Sequence, residues 1–205
     1  KIGAVGTTVS YRTLEGGGNT SIEDVATSMR SGDVNGVVII GGNPAYNTPG
    51  DLNLANAIAS MKNSIHLSAD ANETSEQCKW HLNRAHWLES WNDGRSADGT
   101  LCIGQPLIEP LFGGLSPAEF LAVLSEQSIT DSHTLVRTTF DRSADQWNSA
   151  WRTAVHDGVV ANSSMLETPP VNRTWSGGIY RVGGGGPKLP AVVFVPSGTV
   201  WDGRF

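Results

Sequence analysis

Two runs of polar residues stand directly behind apolar segments in this sequence. Val37-Val38-Ile39-Ile40 ends in Gly41-Gly42-Asn43-Pro44, and the segment Ser64 to Ser68 ends in Asp70 to Glu76. Paired glycines let the chain turn sharply and let a ligand approach the backbone closely. Asn43, Glu73 and Thr74 bring side-chain donors and acceptors suited to a nucleotide-like group. In an open α/β sheet ligands lodge outside the carboxyl ends of the strands, where both loops fall if the two strands run parallel.

Other chemistries find less support. Serines are plentiful, but no Gly-x-Ser-x-Gly elbow follows a strand, so a nucleophilic serine lacks its pedestal. His81 and His86 do not share a helical face, and neither an HExxH pattern nor a Cys/His cluster occurs. The only two cysteines, Cys78 and Cys102, show no CxxC spacing and read as two buried thiols rather than a disulfide. An iron–sulfur cluster needs about four cysteines, more than this segment holds. Gly41-Gly42-Asn43-Pro44 lacks the third glycine of a dinucleotide fingerprint. Gly183 to Gly186 has no following lysine and helix, so it reads as a linker rather than a phosphate cradle. His86-Trp87-Leu88-Glu89-Ser90-Trp91-Asn92-Asp93 gathers an imidazole, two indoles and two carboxylates, which taken alone reads as a loop anchored by its aromatics.

The elements that must position these residues are legible in the periodicity. Thr20-Ser21-Ile22-Glu23 reads as a capping box, with Ile22, Val25, Ala26 and Met29 at helical spacing behind it and Gly32 as the stop. Val34 to Ile40 reads as a strand buried on both faces, as in a parallel sheet covered by helices. Asp51 is expected to cap a second helix lined by Leu54, Ile58 and Met61, followed by the strand Ser64 to Ser68. Strand, turn, helix and strand make a βαβ unit with parallel strands. A short helix is expected through Gln77 and Cys78, and a third strand at Trp80 to Leu82. An irregular stretch is expected from Asn83 to Gly99 and a strand at Thr100 to Ile103. Ser116-Pro117-Ala118-Glu119 is a further capping box, opening a helix with Phe120, Leu121 and Leu124 inward. Ser143-Ala144-Asp145-Gln146 is a third box, leading into a packing stripe of Trp147, Trp151 and Val155 that Gly158 closes.

Composition sets the frame. A chain of 205 residues, 39% hydrophobic and 17% charged, suits one large domain or one domain with an appendage. The division expected is 1–160 for the α/β domain and 161–205 for a Gly/Pro-rich extension with strands at Ala191 to Val195 and Thr199 to Trp201. A net charge of −6 with no Lys/Arg cluster argues against a nucleic-acid surface. No apolar run approaches the roughly 20 residues of a membrane span. Both ends look cut, so the chain reads as a fragment of a longer protein.

The order Ile40-Gly41-Gly42-Asn43-Pro44, then Asn72-Glu73-Thr74-Ser75, then Leu82 to Glu89, resembles the molybdopterin oxidoreductase superfamily. There a strand ends in Gly-x-Asn-Pro, a Thr-Glu-Thr-Ala loop follows the next strand, and a Leu-Pro segment running to a Glu comes after it. The chain is most similar to one branch, the large iron–sulfur subunit of alternative complex III, a quinol-oxidising respiratory assembly. The blocks that carry this are His86 to Asp93, Asp98-Gly99-Thr100, Gln105 to Leu111, Gly113-Gly114, Ser116 to Ser125 and Trp201 to Phe205. Two positions depart from the superfamily pattern: Asn72 stands for the first Thr, and Asn83 for the Pro.

The resemblance implies a Rossmann-like layered α/β domain with a mainly parallel sheet, plus the irregular β-containing extension. In the superfamily these loops contact the guanosine end of molybdopterin guanine dinucleotide, which would fall to Gly41, Gly42, Asn43, Pro44, Glu73 and Thr74. In the alternative complex III branch the domain has lost that cofactor. The branch therefore implies a non-catalytic scaffold with no cofactor in this fragment, and with iron–sulfur clusters in a separate ferredoxin-like domain of the same subunit. Implied partners are that domain and other subunits of a membrane-bound respiratory complex, on the periplasmic side of the bacterial cytoplasmic membrane.

Overall fold

The computed structural model describes residues 7–12, 20–140 and 147–167. The chain divides into two units, Lys1–Thr168 and Pro169–Phe205, and every described residue lies in the first. In chain order the elements are β1 (Tyr11–Arg12), α1 (Ile22–Ser31), β2 (Gly36–Ile40), α2 (Pro44–Asn47), a 3-10 turn (Gly50–Leu52) and α3 (Leu54–Ser60). There follow β3 (Asn63–Ser68), α4 (Glu73–Gln77), β4 (Trp80–Asn83), β5 (Asn92–Arg95) and β6 (Leu101–Gly104). The series ends with α5 (Pro117–Leu124), α6 (Ser132–Thr139), α7 (Trp147–Asp157) and β7 (Leu166–Glu167). The expected capping box at Ser143 and the strands of the extension lie outside the described residues.

The architecture is mixed α/β. β2, β3 and β4 form a three-stranded parallel sheet in that order. Two antiparallel pairs, β5 with β6 and β1 with β7, stand apart from it. In the parallel register Gly36 faces Asn63 and Ile40 faces Leu67, so the strands finish together at one edge. An isolated parallel bridge from Arg84 to Leu115 continues that edge beyond β4. Gly114 makes the approach possible, because a Cβ there would stand 2.7 Å from the Ala85 nitrogen.

One core cluster lies under α1 and α3 and joins Ala26, Met29, Leu54, Ala57, Ile58 and Met61, with Val37 and Ile39 of β2 packed against it. The expected burial of β2 on both faces is thereby corrected. Its residues alternate: Val37 and Ile39 meet the helices, while Val38 and Ile40 are each 39% exposed on the opposite face. Helices cover one side of this strand among the described residues, and strand residues alternate sides.

A second cluster of Ile103, Val136, Phe140, Trp151 and Ala154 joins the β5–β6 hairpin to α6 and α7. The Trp151 ring lies 5.5 Å from Phe140 and 5.8 Å from Trp91, so the expected packing role of Trp151 holds. The hairpin turn is tied by Asp98, which accepts from the Ser96 hydroxyl and from the Thr100 backbone and hydroxyl. These bonds hold its carboxyl down to about 2.

Helix ends follow side-chain chemistry more finely than the sequence patterns suggest. Ser21, not Thr20, caps α1, accepting from the Asp24 nitrogen at 3.1 Å. Asp51 sits in the 3-10 turn, and Asn53 occupies the N-cap of α3 at φ +48°, a conformation asparagine tolerates better than most residues. The Ser116 box forms as expected, and Glu119 also accepts from the Ser132 nitrogen at 3.0 Å, linking α5 to the start of α6. Phe120 points inward from α5, but Leu121 and Leu124 are exposed and the second buried residue is Ala122. Phe120 and Ala122 stand about 200° apart around the helix, so α5 is buried at two separate positions rather than along the single stripe that the leucine spacing suggests. Residues 132–139 form a helix and 92–95 a strand within stretches where no element was expected.

Ile58, 1% exposed at the centre of the first cluster, gives a direct test of this core. Ile58→Ala should lower unfolding free energy by about 2–5 kcal/mol. Leu121→Ala, at an exposed position, should change it by less than about 1 kcal/mol in the same denaturant titration. Equal effects would contradict the placement of the core.

Candidate functional site

The parallel ladder runs one residue past β2, with the Gly41 nitrogen donating to the Leu67 carbonyl at 2.8 Å. Gly41 and Gly42 then take φ values of +68° and +67°. For any residue with a Cβ such a conformation costs about 1–2 kcal/mol, so two in succession call for glycine. This double turn throws the chain across the sheet edge and starts α2 with Pro44 in its first turn.

Asn43 precedes α2 but makes no capping bond to it. Its side chain reaches across to the loop behind β3. The amide Nδ2 donates to Glu73 Oε2 at 2.6 Å. Its Oδ1 accepts from the Thr74 backbone nitrogen at 3.2 Å and from Thr74 Oγ1 at 2.8 Å. Thr74 Oγ1 in turn accepts from the Ala45 nitrogen at 3.0 Å. Thr74 is 0% exposed and Asn43 is buried with it. Six residues singled out from sequence, Gly41, Gly42, Asn43, Pro44, Glu73 and Thr74, thus meet at one edge of the sheet, where Asn43, Glu73 and Thr74 are hydrogen-bonded to one another.

The second loop is rigid for a local reason. Asn72 caps α4, its Oδ1 accepting from the Thr74 and Ser75 nitrogens, while Ser75 Oγ accepts from the Asn72 nitrogen in a reciprocal box. Asparagine at position 72 therefore has a structural use, since it is among the best N-cap residues.

Beneath the loops lies His66, 0% exposed, with Nδ1 2.9 Å from Ser75 Oγ. Among the described residues Nε2 makes no hydrogen bond. Burial lowers the His66 pKa, the Gly41 and Gly42 backbone partly opposing it and His81 and Arg84 adding to it. A serine beside a histidine suggests nucleophilic chemistry, but no carboxylate holds the other ring nitrogen, and the hydroxyl closes the α4 cap. Among the described residues no group of three or more His, Cys, Asp or Glu side chains could hold a metal ion.

Beside this edge opens a cleft of about 450 Å³, lined among others by Arg84, His86, Trp87, Trp91, Asp93 and Ser116. The segment His86 to Asp93 divides in role. Trp91 anchors the loop, its ring 4.9 Å from His133, whereas Trp87 is 65% exposed. Arg84 was not among the residues singled out, although a cation directly behind a strand of the same sheet is a readable signal. A Cβ on Gly41 would come within 2.8 Å of Arg84 Nη1, so the guanidinium lies against the double-glycine turn. Cys78 and Cys102 are free and half-buried.

No protein-family model matches this chain, and no curated protein matches it.

A histidine with a lowered pKa in the folded state binds its proton more readily once unfolded. Stability from its burial is therefore fully present above the ordinary value of 6.5 and is lost as pH falls below it. The unfolding midpoint should drop between pH 7.5 and 5, and His66→Gln should flatten that slope. Parallel slopes for the two proteins would contradict this role for His66.

Proposed function

We propose that this domain is a non-catalytic scaffold in a subunit of a membrane-bound respiratory complex that oxidises quinol, related to the molybdopterin oxidoreductases. The observation that carries the reading is the closed network of Asn43, Glu73 and Thr74. These are the side chains that the resemblance would turn toward a pterin guanine dinucleotide. Here Asn43 bonds both Thr74 and Glu73, and Thr74 and Asn43 are buried, while Glu73 gives one carboxylate oxygen to the Asn43 amide and stays exposed. So arranged, they do not fit the dinucleotide. Their chemistry is that of a latch between two loops, which a scaffold needs and a cofactor site does not.

On this reading the three-stranded parallel sheet belongs to a Rossmann-like layered domain, spanning roughly 1–160 and followed in the sequence by the Gly/Pro-rich extension at 161–205. Its partners are an iron–sulfur ferredoxin-like domain of the same subunit and neighbouring subunits on the periplasmic face of the bacterial cytoplasmic membrane. On this reading the domain contributes no catalytic residue.

One observation favours the alternative, a domain that binds molybdopterin guanine dinucleotide in an active molybdenum oxidoreductase. Gly41 and Gly42 hold left-handed backbone at the sheet edge with the Arg84 guanidinium beside them, a combination suited to a charged ligand approaching the main chain.

Metal analysis of the purified parent subunit separates the two. The scaffold reading predicts no stoichiometric molybdenum and no pterin fluorescence after oxidation. It also predicts that Asn43→Ala leaves quinol oxidation by the assembled complex unchanged while lowering the stability of the domain. Bound molybdenum or pterin, lost on Asn43→Ala or Glu73→Gln, would overturn it.

A further inference from the structure

The cleft beside the sheet edge has a construction that the latch does not explain. Its position is fixed from below by the bridge between Arg84 and Leu115, closed by the Ala85 nitrogen to the Leu115 carbonyl at 2.9 Å and the Leu115 nitrogen to the Asn83 carbonyl at 3.0 Å. One wall is the indole of Trp91, held by His133 and by Trp151 at 5.8 Å, so it is not free to collapse inward. The indole of Trp87 contributes another part of the lining, largely bare of protein and tilted against His86 at 5.3 Å. Two indoles line about 450 Å³, a volume suited to a ligand of one or two rings.

The charged groups narrow the ligand further. Arg84 lines the cleft, and among the described residues its guanidinium has neither an ion pair nor a side-chain hydrogen bond. A planar guanidinium matches a carboxylate in shape and donor spacing. Asp93 lines the same cleft from an exposed position on β5. One cation with a carboxyl nearby suits a single negative charge. Each further negative charge on a ligand would find no second Lys or Arg in this lining and would add to the repulsion from Asp93.

We propose that this cleft binds a small planar aromatic carboxylate, its ring against the Trp87 indole and its carboxylate on the Arg84 guanidinium. The inference is independent of the scaffold reading, because it uses none of the latch residues and needs no cofactor. Stacking on the exposed indole supplies affinity, and the guanidinium selects the acid over a neutral ring of the same shape.

The test is calorimetric titration of the full 205-residue chain with 2-naphthoate and with its neutral analogue 2-naphthamide. The expected result is a Kd for naphthoate below about 1 mM, with naphthamide weaker by about tenfold. Arg84→Met keeps the apolar stem and should abolish the preference for the acid. Trp87→Ala, at an exposed position that leaves the core intact, should weaken both compounds by about tenfold. Unfolding midpoints of both variants establish that they fold. No heat with naphthoate at 5 mM (about five times the expected ceiling), equal affinity for acid and amide, or unchanged binding in either folded variant overturns the proposal.

Discussion

The hydrogen bonds from Asn43 to Thr74 and Glu73 are the constraint on which the sheet edge depends. Parallel strands place their following loops side by side, but nothing in a strand ladder keeps those loops together once the strands end. Two short helices, α2 and α4, must then pack over the same edge with their first turns full of unsatisfied backbone N–H groups. Asn43 resolves this by satisfying a nitrogen at the start of the neighbouring helix instead of its own, while Asn72 caps that helix locally. Breaking the link would leave the buried Asn43 amide and the Thr74 hydroxyl proton without these partners, at about 1–3 kcal/mol for each group left unpaired, while the Thr74 nitrogen keeps its bond to the Asn72 side chain. Gly41 and Gly42 are needed upstream because only a left-handed double turn brings Asn43 across the edge. His66 fills the space below as a neutral ring, since a charge there would be stripped of water beside Arg84 and His81.

The consequences extend outward from this edge. With α1 and α3 on one side, β2 exposes Val38 and Ile40 on the other, and Trp80 at the start of β4 is exposed as well. The loop bearing Leu107, Ile108, Leu111 and Phe112 also presents apolar side chains outward. Its backbone is held by the Leu88 carbonyl, Glu89 and Asn83. Exposed apolar surface on an ordered backbone suits a domain built to pack within a larger assembly, which accords with the scaffold reading.

Much of this fold was legible in the sequence wherever a local rule decided the outcome. The strand cores at 36–40 and 63–68, the Ser116 box, the Gly32 and Gly158 stops and the convergence of the two polar loops all follow from turn chemistry and periodicity. What was not legible depended on partners far along the chain. A run of four apolar residues looks the same whether one face or both are covered, so Val38 and Ile40 were misjudged. Leu121 and Leu124 have the spacing of a buried stripe, yet Ala122 takes the inward position. α5 packs against α6, whose Ser132 and Val136 are buried, and a neighbour supplied by a later element is not readable from the α5 sequence alone. At the site, residue types announced a ligand edge. Only the geometry revealed that Asn43, Glu73 and Thr74 face one another. Arg84 escaped notice because a lone cation behind a strand gains meaning only from the cleft it lines.

A double-mutant cycle between Asn43 and Thr74 tests the central claim most directly. Unfolding free energies of the chain, Asn43→Ala, Thr74→Val and the pair give the coupling between the two side chains. The latch predicts that the two losses fall short of additivity by about 1–3 kcal/mol, because either substitution alone breaks the same bonds. Additive losses, with coupling within about 0.3 kcal/mol of zero, would contradict it and return both residues to a role facing a ligand.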